Sequence, residues 1–121
     1  MKNIFLLPTY KPSRLFYDIS IDKLILATTE GVSKWFENKH VYITNDEEIK
    51  EGDWACHNNI TIDKYQIVKC NISNKEYIQE HWNKIILTTD QELIADGVKA
   101  IDDCFLEWYV KNPSCKSVEV N

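Results

Sequence analysis

Seven short runs rich in β-branched and aromatic residues constrain this chain more than anything else in it: IFLL, RLFYDI, KLILAT, HVYIT, DWAC, YQIVKC and KIILT. Each is too short for a helix that buries one face. Turn-forming residues such as Pro8, Ser20 to Asp22 and Asn45 to Glu48 separate them. Runs of this kind at short spacing predict antiparallel strands. The pattern changes near the C-terminus, where Thr89-Asp90-Gln91-Glu92 has the form of a capping box and Gly97 supplies a stop. A second helix is predicted from about Asp102 to Lys111, with Ile101, Phe105, Trp108 and Tyr109 on one face as core and Pro113 as its end. Ser117 to Val120 reads as a closing edge strand. The predicted fold class is therefore α+β: a small antiparallel sheet, open to barrel-like closure, with two C-terminal helices.

The chain has 121 residues with only three glycines and three prolines, so no linker is visible and residues 1–121 read as one domain. The apolar run after Met1 is cut by Pro8, and no run reaches the roughly 18 residues of a membrane span. A cytosolic protein without a membrane partner is expected. Four cysteines without a CxxC pair read as reduced, mostly buried thiols.

The net charge of −5 argues against nucleic acid as a partner. It is unevenly spread, because residues 1–43 hold six Lys and Arg against four Asp and Glu. A basic spot is expected in that half and an acidic surface in the other.

The stretch EGDWACHNNITIDKYQIVKC places Cys56, His57 and Cys70 within twenty residues. Adjacent residues of a strand face opposite ways, so Cys56 and His57 cannot serve one zinc ion there. A hairpin fits instead: strands at Asp53 to Cys56 and Tyr65 to Cys70, a turn at His57 to Asn59, and Trp54 sharing a face with Cys56. Cys104 opens a helix, but Asp102 and Asp103 beside it oppose a thiolate nucleophile. Glu48-Ile49-Lys50 has the Glu-x-Lys of some nucleases, yet it sits in a charged turn. Asp102, Asp103 and Glu107 are read as helix-start carboxylates rather than an acid–base pair. No catalytic set, metal site or cofactor motif follows.

The segment LPTYKPSRLFY differs. Two prolines stiffen a loop carrying Thr9, Lys11, Ser13 and Arg14, all suited to an anion or phosphate, with Tyr10 able to stack on a base. These five residues are the candidate ligand-binding set.

The blocks MKNIFLLPTYKPSRL, VYITNDEEIKEGDW, KIILTTDQELIADGVKAIDD and FLEWYVKNPSCKSVEV resemble a group of small proteins encoded by tailed phages of Bacteroidota and related metagenomic sequences. The resemblance leaves out only Phe16 to Lys39 and Ala55 to Asn83. Cys104 stands where the group's usual block reads Asp-Asp-Glu-Phe. The resemblance carries no functional residue; it implies a viral accessory protein made in the host bacterial cytoplasm. Three functions are expected in order. First comes a non-enzymatic protein capturing a small anionic or nucleotide-like ligand, with a nucleotide-derived immune signal of the host as the expected class, and compatible with a homo-oligomer. Next comes an interaction protein blocking a host protein through its acidic surface as a nucleic-acid mimic. A small metal-dependent nuclease or hydrolase ranks third.

Overall fold

A computed structural model describes residues 2–31, 36–57, 67–113 and 117–118. Among them are β1 (Lys2–Pro8), β2 (Ser13–Asp18), β3 (Lys23–Gly31), β4 (Phe36–Asn45), β5 (Trp54–His57), β6 (Ile67–Lys69), β7 (Trp82–Thr88), β8 (Lys99–Ala100) and β9 (Ser117–Val118). Three helices join them: α1 (Lys75–His81), α2 (Gln91–Ala95) and α3 (Asp103–Lys111). The α+β expectation holds in outline. The sheet pairs antiparallel everywhere except at β7–β8.

The barrel-like closure does not form. One line of pairing runs β3-β2-β4-β7-β5-β6, and its two end strands do not meet. β3 has α3 packed against it and β6 is only three residues long, so neither offers the other a matching edge. The expected edge strand at Ser117 is present as β9, which pairs with β1. Its continuation to Val120 lies outside the described residues.

Period-two alternation along the central strands gives the sheet two buried faces. Val41 and Ile43 of β4 join Ile4, Leu15 and Leu24 on the face covered by Ile101, Leu106 and Tyr109. Tyr42, lying between them in sequence, joins Leu7, Cys56 and Ile85 on the opposite face, which Leu93 of α2 covers. A third cluster of Ile49, Ala55, Cys70, Ile78 and Trp82 secures α1.

Two expectations about the helices are corrected. The described residues hold three helices, because α1 lies between β6 and β7. Its seven residues bury only Ile78 among those whose burial is described, while Tyr77 is exposed, so no apolar period marks it. In α3 the buried face is Leu106 and Tyr109, with Phe105 partly buried against the same cluster. Trp108 is 41% exposed and sits at the rim, tilted against Phe105 at 5.7 Å.

The expected hairpin is present with shifted bounds: β5 pairs β6 with Trp54 opposite Lys69 and Cys56 opposite Ile67. His57 ends β5 opposite Trp82 instead of opening the turn, and Cys70 lies just beyond β6. Trp54 packs with the cluster of Cys56, whereas Cys70 belongs to the third cluster. His57 stands edge-on to Trp82 at 4.9 Å. The connection at 58–66 lies outside the described residues.

Candidate functional site

Between Thr9 and Ser13 the chain crosses β4. Successive carbonyls of a strand point to opposite edges, and three of them on β4 record the crossing. Asn38 O accepts from Thr9 N on the β1 side (2.9 Å), while Lys39 O accepts from Ser13 Oγ (2.7 Å) and Val41 O from Thr89 N (3.1 Å) on the other. The Asn38 amide donates to Lys11 O at 3.0 Å and pins the crossing segment. β2 and β7 thus share one edge of β4, pairing with residues 36–38 and 42–45 respectively. They leave an opening between them.

That opening is a cleft of about 180 Å³. Pro12, Leu15, Leu26, Ile94, Ile101 and Leu106 give it an apolar body, and Arg14, Gln91 and Asp103 supply polar groups. Thr88 and Thr89 also line it, but their hydroxyls are engaged with β4. Thr88 Oγ1 donates to Val41 O (2.9 Å), and Thr89 Oγ1 accepts from Val41 N (3.0 Å).

Each residue of the candidate loop has a defined place. Thr9 Oγ1 accepts from Lys11 N at 3.1 Å and closes the turn. Tyr10 is wholly exposed. Lys11 pairs with Glu92 of α2, and that hydrogen bond holds its ammonium above the usual lysine range. Ser13 is buried at 5% exposure, its Oγ donating to Lys39 O and accepting from Leu15 N. Arg14 is the hub. Its Nε donates to Ala27 O (3.0 Å), and Nη1 and Nη2 reach Asp103 Oδ1 and Oδ2 at 2.9 and 3.3 Å.

A bulge places that arginine. The β2–β3 register jumps from Ser13↔Gly31 to Leu15↔Leu26, which skews β3 beside Arg14 and turns the Ala27 carbonyl to its guanidinium. The fold therefore brings Ser13 and Arg14 to the cleft wall, with Lys11 close by in sequence and tied to α2. Thr9 and Tyr10 stand outside the lining.

The sequence missed the carboxylate that joins the start of α2 to β4, one residue from the cleft-lining Thr89 and Gln91. The cap of α2 is Asp90, one residue after the expected Thr89. Asp90 Oδ1 accepts from Glu92 N (3.0 Å), and Oδ2 accepts from the buried Tyr42 hydroxyl (2.7 Å). Burial, then the Asp90 bond, push the Tyr42 phenol far above its usual range, so it stays a donor. Only the distant pairing of β4 with β7 could reveal this partner.

The acidic turn is not a bare face. Lys84 stands 3.6 Å from both Glu47 and Asp53, and Asn83 donates to Asp46 at 3.4 Å.

Two measurements check this arrangement. Burial pushes the Cys56 thiol up to about 12 and Cys70 is also raised by burial, whereas Cys104 is exposed. A maleimide should label Cys104 in the native protein and reach Cys56 and Cys70 only after unfolding; rapid native labelling of Cys56 would contradict the packing. Asp103 is held below the usual 3.8 by its bond from Arg14, and Asp96 by bonds from Lys69 and Trp54. A carboxylate lowered by folding adds stability above 3.8 that is lost as pH falls through its lower folded value. Asp103→Asn should therefore flatten the acid limb of a stability–pH curve. An unchanged limb would show that the Arg14 pair does not form in solution.

No described helix is long and apolar enough to cross a membrane. No family model, curated protein or solved structure matches the chain.

Proposed function

We propose that the chain is a non-catalytic binding protein that takes a small anionic group, phosphate or carboxylate, at the cleft between β2 and β7. The observation that carries this reading is the Arg14 guanidinium at the cleft wall, presented as a fork to the exposed carboxylate of Asp103. An exposed ion pair is worth about 0.2–1 kcal/mol. A charge-assisted bond to a desolvated anion is worth about 1.5–3 kcal/mol. A ligand can therefore displace Asp103 with a net gain.

At about 180 Å³ the cleft is below the ~300–1,000 Å³ of a whole-ligand site, so it suits the charged head of a larger molecule. Tyr10 is fully exposed two residues before Pro12, and in this reading its ring would stack on a base lying outside the cleft. With the phage-protein resemblance, this makes a nucleotide-derived signal of an infected host the ligand class we favour.

The test is calorimetric titration with inorganic phosphate and with linear and cyclic nucleotides. Arg14→Ala should weaken binding about ten- to a hundredfold, with Arg14→Lys between it and wild type. Tyr10→Ala should weaken nucleotide but not phosphate binding. Undiminished binding by Arg14→Ala would place the site elsewhere.

A further inference from the structure

A second interruption lies on β7. β5 pairs it as far as Lys84, opposite Ala55, and β8 resumes at Leu87, opposite Lys99. Both occupy the edge away from β4, since β4 pairs Lys84 with Asn45 and Leu87 with Ile43 from the other side. Among the described residues, Ile85 and Ile86 thus have no strand partner on that edge. The β4–β7 register also slips here, between Ile43 and Thr44. At about 3.3 Å per residue, the break from Lys84 to Leu87 spans roughly 10 Å.

The break opens a groove of about 700 Å³, within the ~300–1,000 Å³ of small-molecule sites. Its charges are sorted by end. At the β5 end, Lys84 Nζ is shared between Glu47 and Asp53 at 3.6 Å each, leaving one carboxylate in excess. At the β8 end stands the exposed Lys99. Asp96 adds no net charge, because Lys69 pairs with it at 2.7 Å while the Trp54 indole donates to it at 2.8 Å. The groove is therefore dipolar, negative beside β5 and positive beside β8, with Trp54 and Val98 as apolar walls.

We propose that this notch binds a short zwitterionic peptide as an inserted strand, independently of the anion cleft. Its ammonium group would sit beside Glu47 and Asp53, its carboxylate beside Lys99, and its amides against the unpaired edge at Ile85 and Ile86. Two to three extended residues span about 7–11 Å, which matches the break. This polarity runs the peptide parallel to β7, as β8 already runs. A purely anionic ligand would meet the excess carboxylate, and a purely cationic one would meet Lys99.

The experiment is an amide and indole NMR titration of the whole protein with trialanine, and with trialanine acetylated and amidated at its ends. Free trialanine should shift Ile85, Ile86 and the Trp54 indole, and the blocked peptide should not. Lys99→Gln and Glu47→Gln should each weaken binding about tenfold, while Arg14→Ala should leave it unchanged. Absence of shifts with free trialanine, or equal shifts with the blocked form, would overturn the proposal. So would trialanine shifts that vanish in Arg14→Ala.

Discussion

Leu106→Ala should lower stability by about 2–5 kcal/mol, whereas Trp108→Ala, two positions along the same helix, should cost only about 0.5–1.5 kcal/mol. Leu106 is buried at 4% exposure between α3 and the β1–β4 face, with Ile4, Leu15, Val41 and Ile43 in the same cluster. Removing its branch leaves a cavity that these β-branched and strand-held neighbours cannot fill. Trp108, 41% exposed, loses its partly covered packing at the helix rim, including its contact with Phe105. Domains of this size are stable by about 5–15 kcal/mol, so the first change removes a large part of the total. Urea midpoints of the two variants decide the matter. A larger loss from Trp108→Ala would mean that α3 is rotated from the orientation described.

Asp90→Ala should cost about 2–4 kcal/mol, an unusually large effect for one polar side chain. Two losses combine. The cap on Glu92 N is worth about 0.5–2 kcal/mol. The buried Tyr42 hydroxyl would lose its acceptor, at about 1–3 kcal/mol. Asp90→Asn keeps an oxygen for the cap and should cost less, while Tyr42→Phe removes only the second bond. A double-mutant cycle between Asp90 and Tyr42 measures their coupling. If the two changes simply add, the hydroxyl–carboxylate bond contributes nothing.

The sequence showed most of the strands and both C-terminal helices because these elements carry their own periodicity. The β4 alternation of Val41, Tyr42 and Ile43 could be read directly, and it sends side chains to two covered faces. What escaped were features settled by distant partners. α1 needs only Ile78 to dock, so no pattern announced it. Helical spacing placed Trp108 with Phe105 and Tyr109, but spacing alone cannot say where a buried face ends. Leu106 rather than Trp108 completes it. Thr89 resembled a cap in sequence, yet its hydroxyl was taken by Val41 N, which left the cap to Asp90.

The candidate loop was legible as a charged, proline-flanked segment and not as a shape. Its crossing over β4, the bulge that aims Arg14, and the carboxylates Glu92 and Asp103 that hold the two cations all depend on pairing between remote segments. No local reading of Leu6 to Tyr17 contains that information.

Anion binding at the cleft between β2 and β7 is tested most directly by two-dimensional NMR mapping. Wild-type protein titrated with phosphate and then with a nucleotide panel should show amide shifts concentrated at Ser13 to Leu15, Thr88 to Gln91 and Ile101 to Asp103. The Arg14 Nε resonance should move with them as Asp103 is displaced. Absence of shifts with every member of the panel, or shifts confined to residues away from the opening between β2 and β7, would contradict the account.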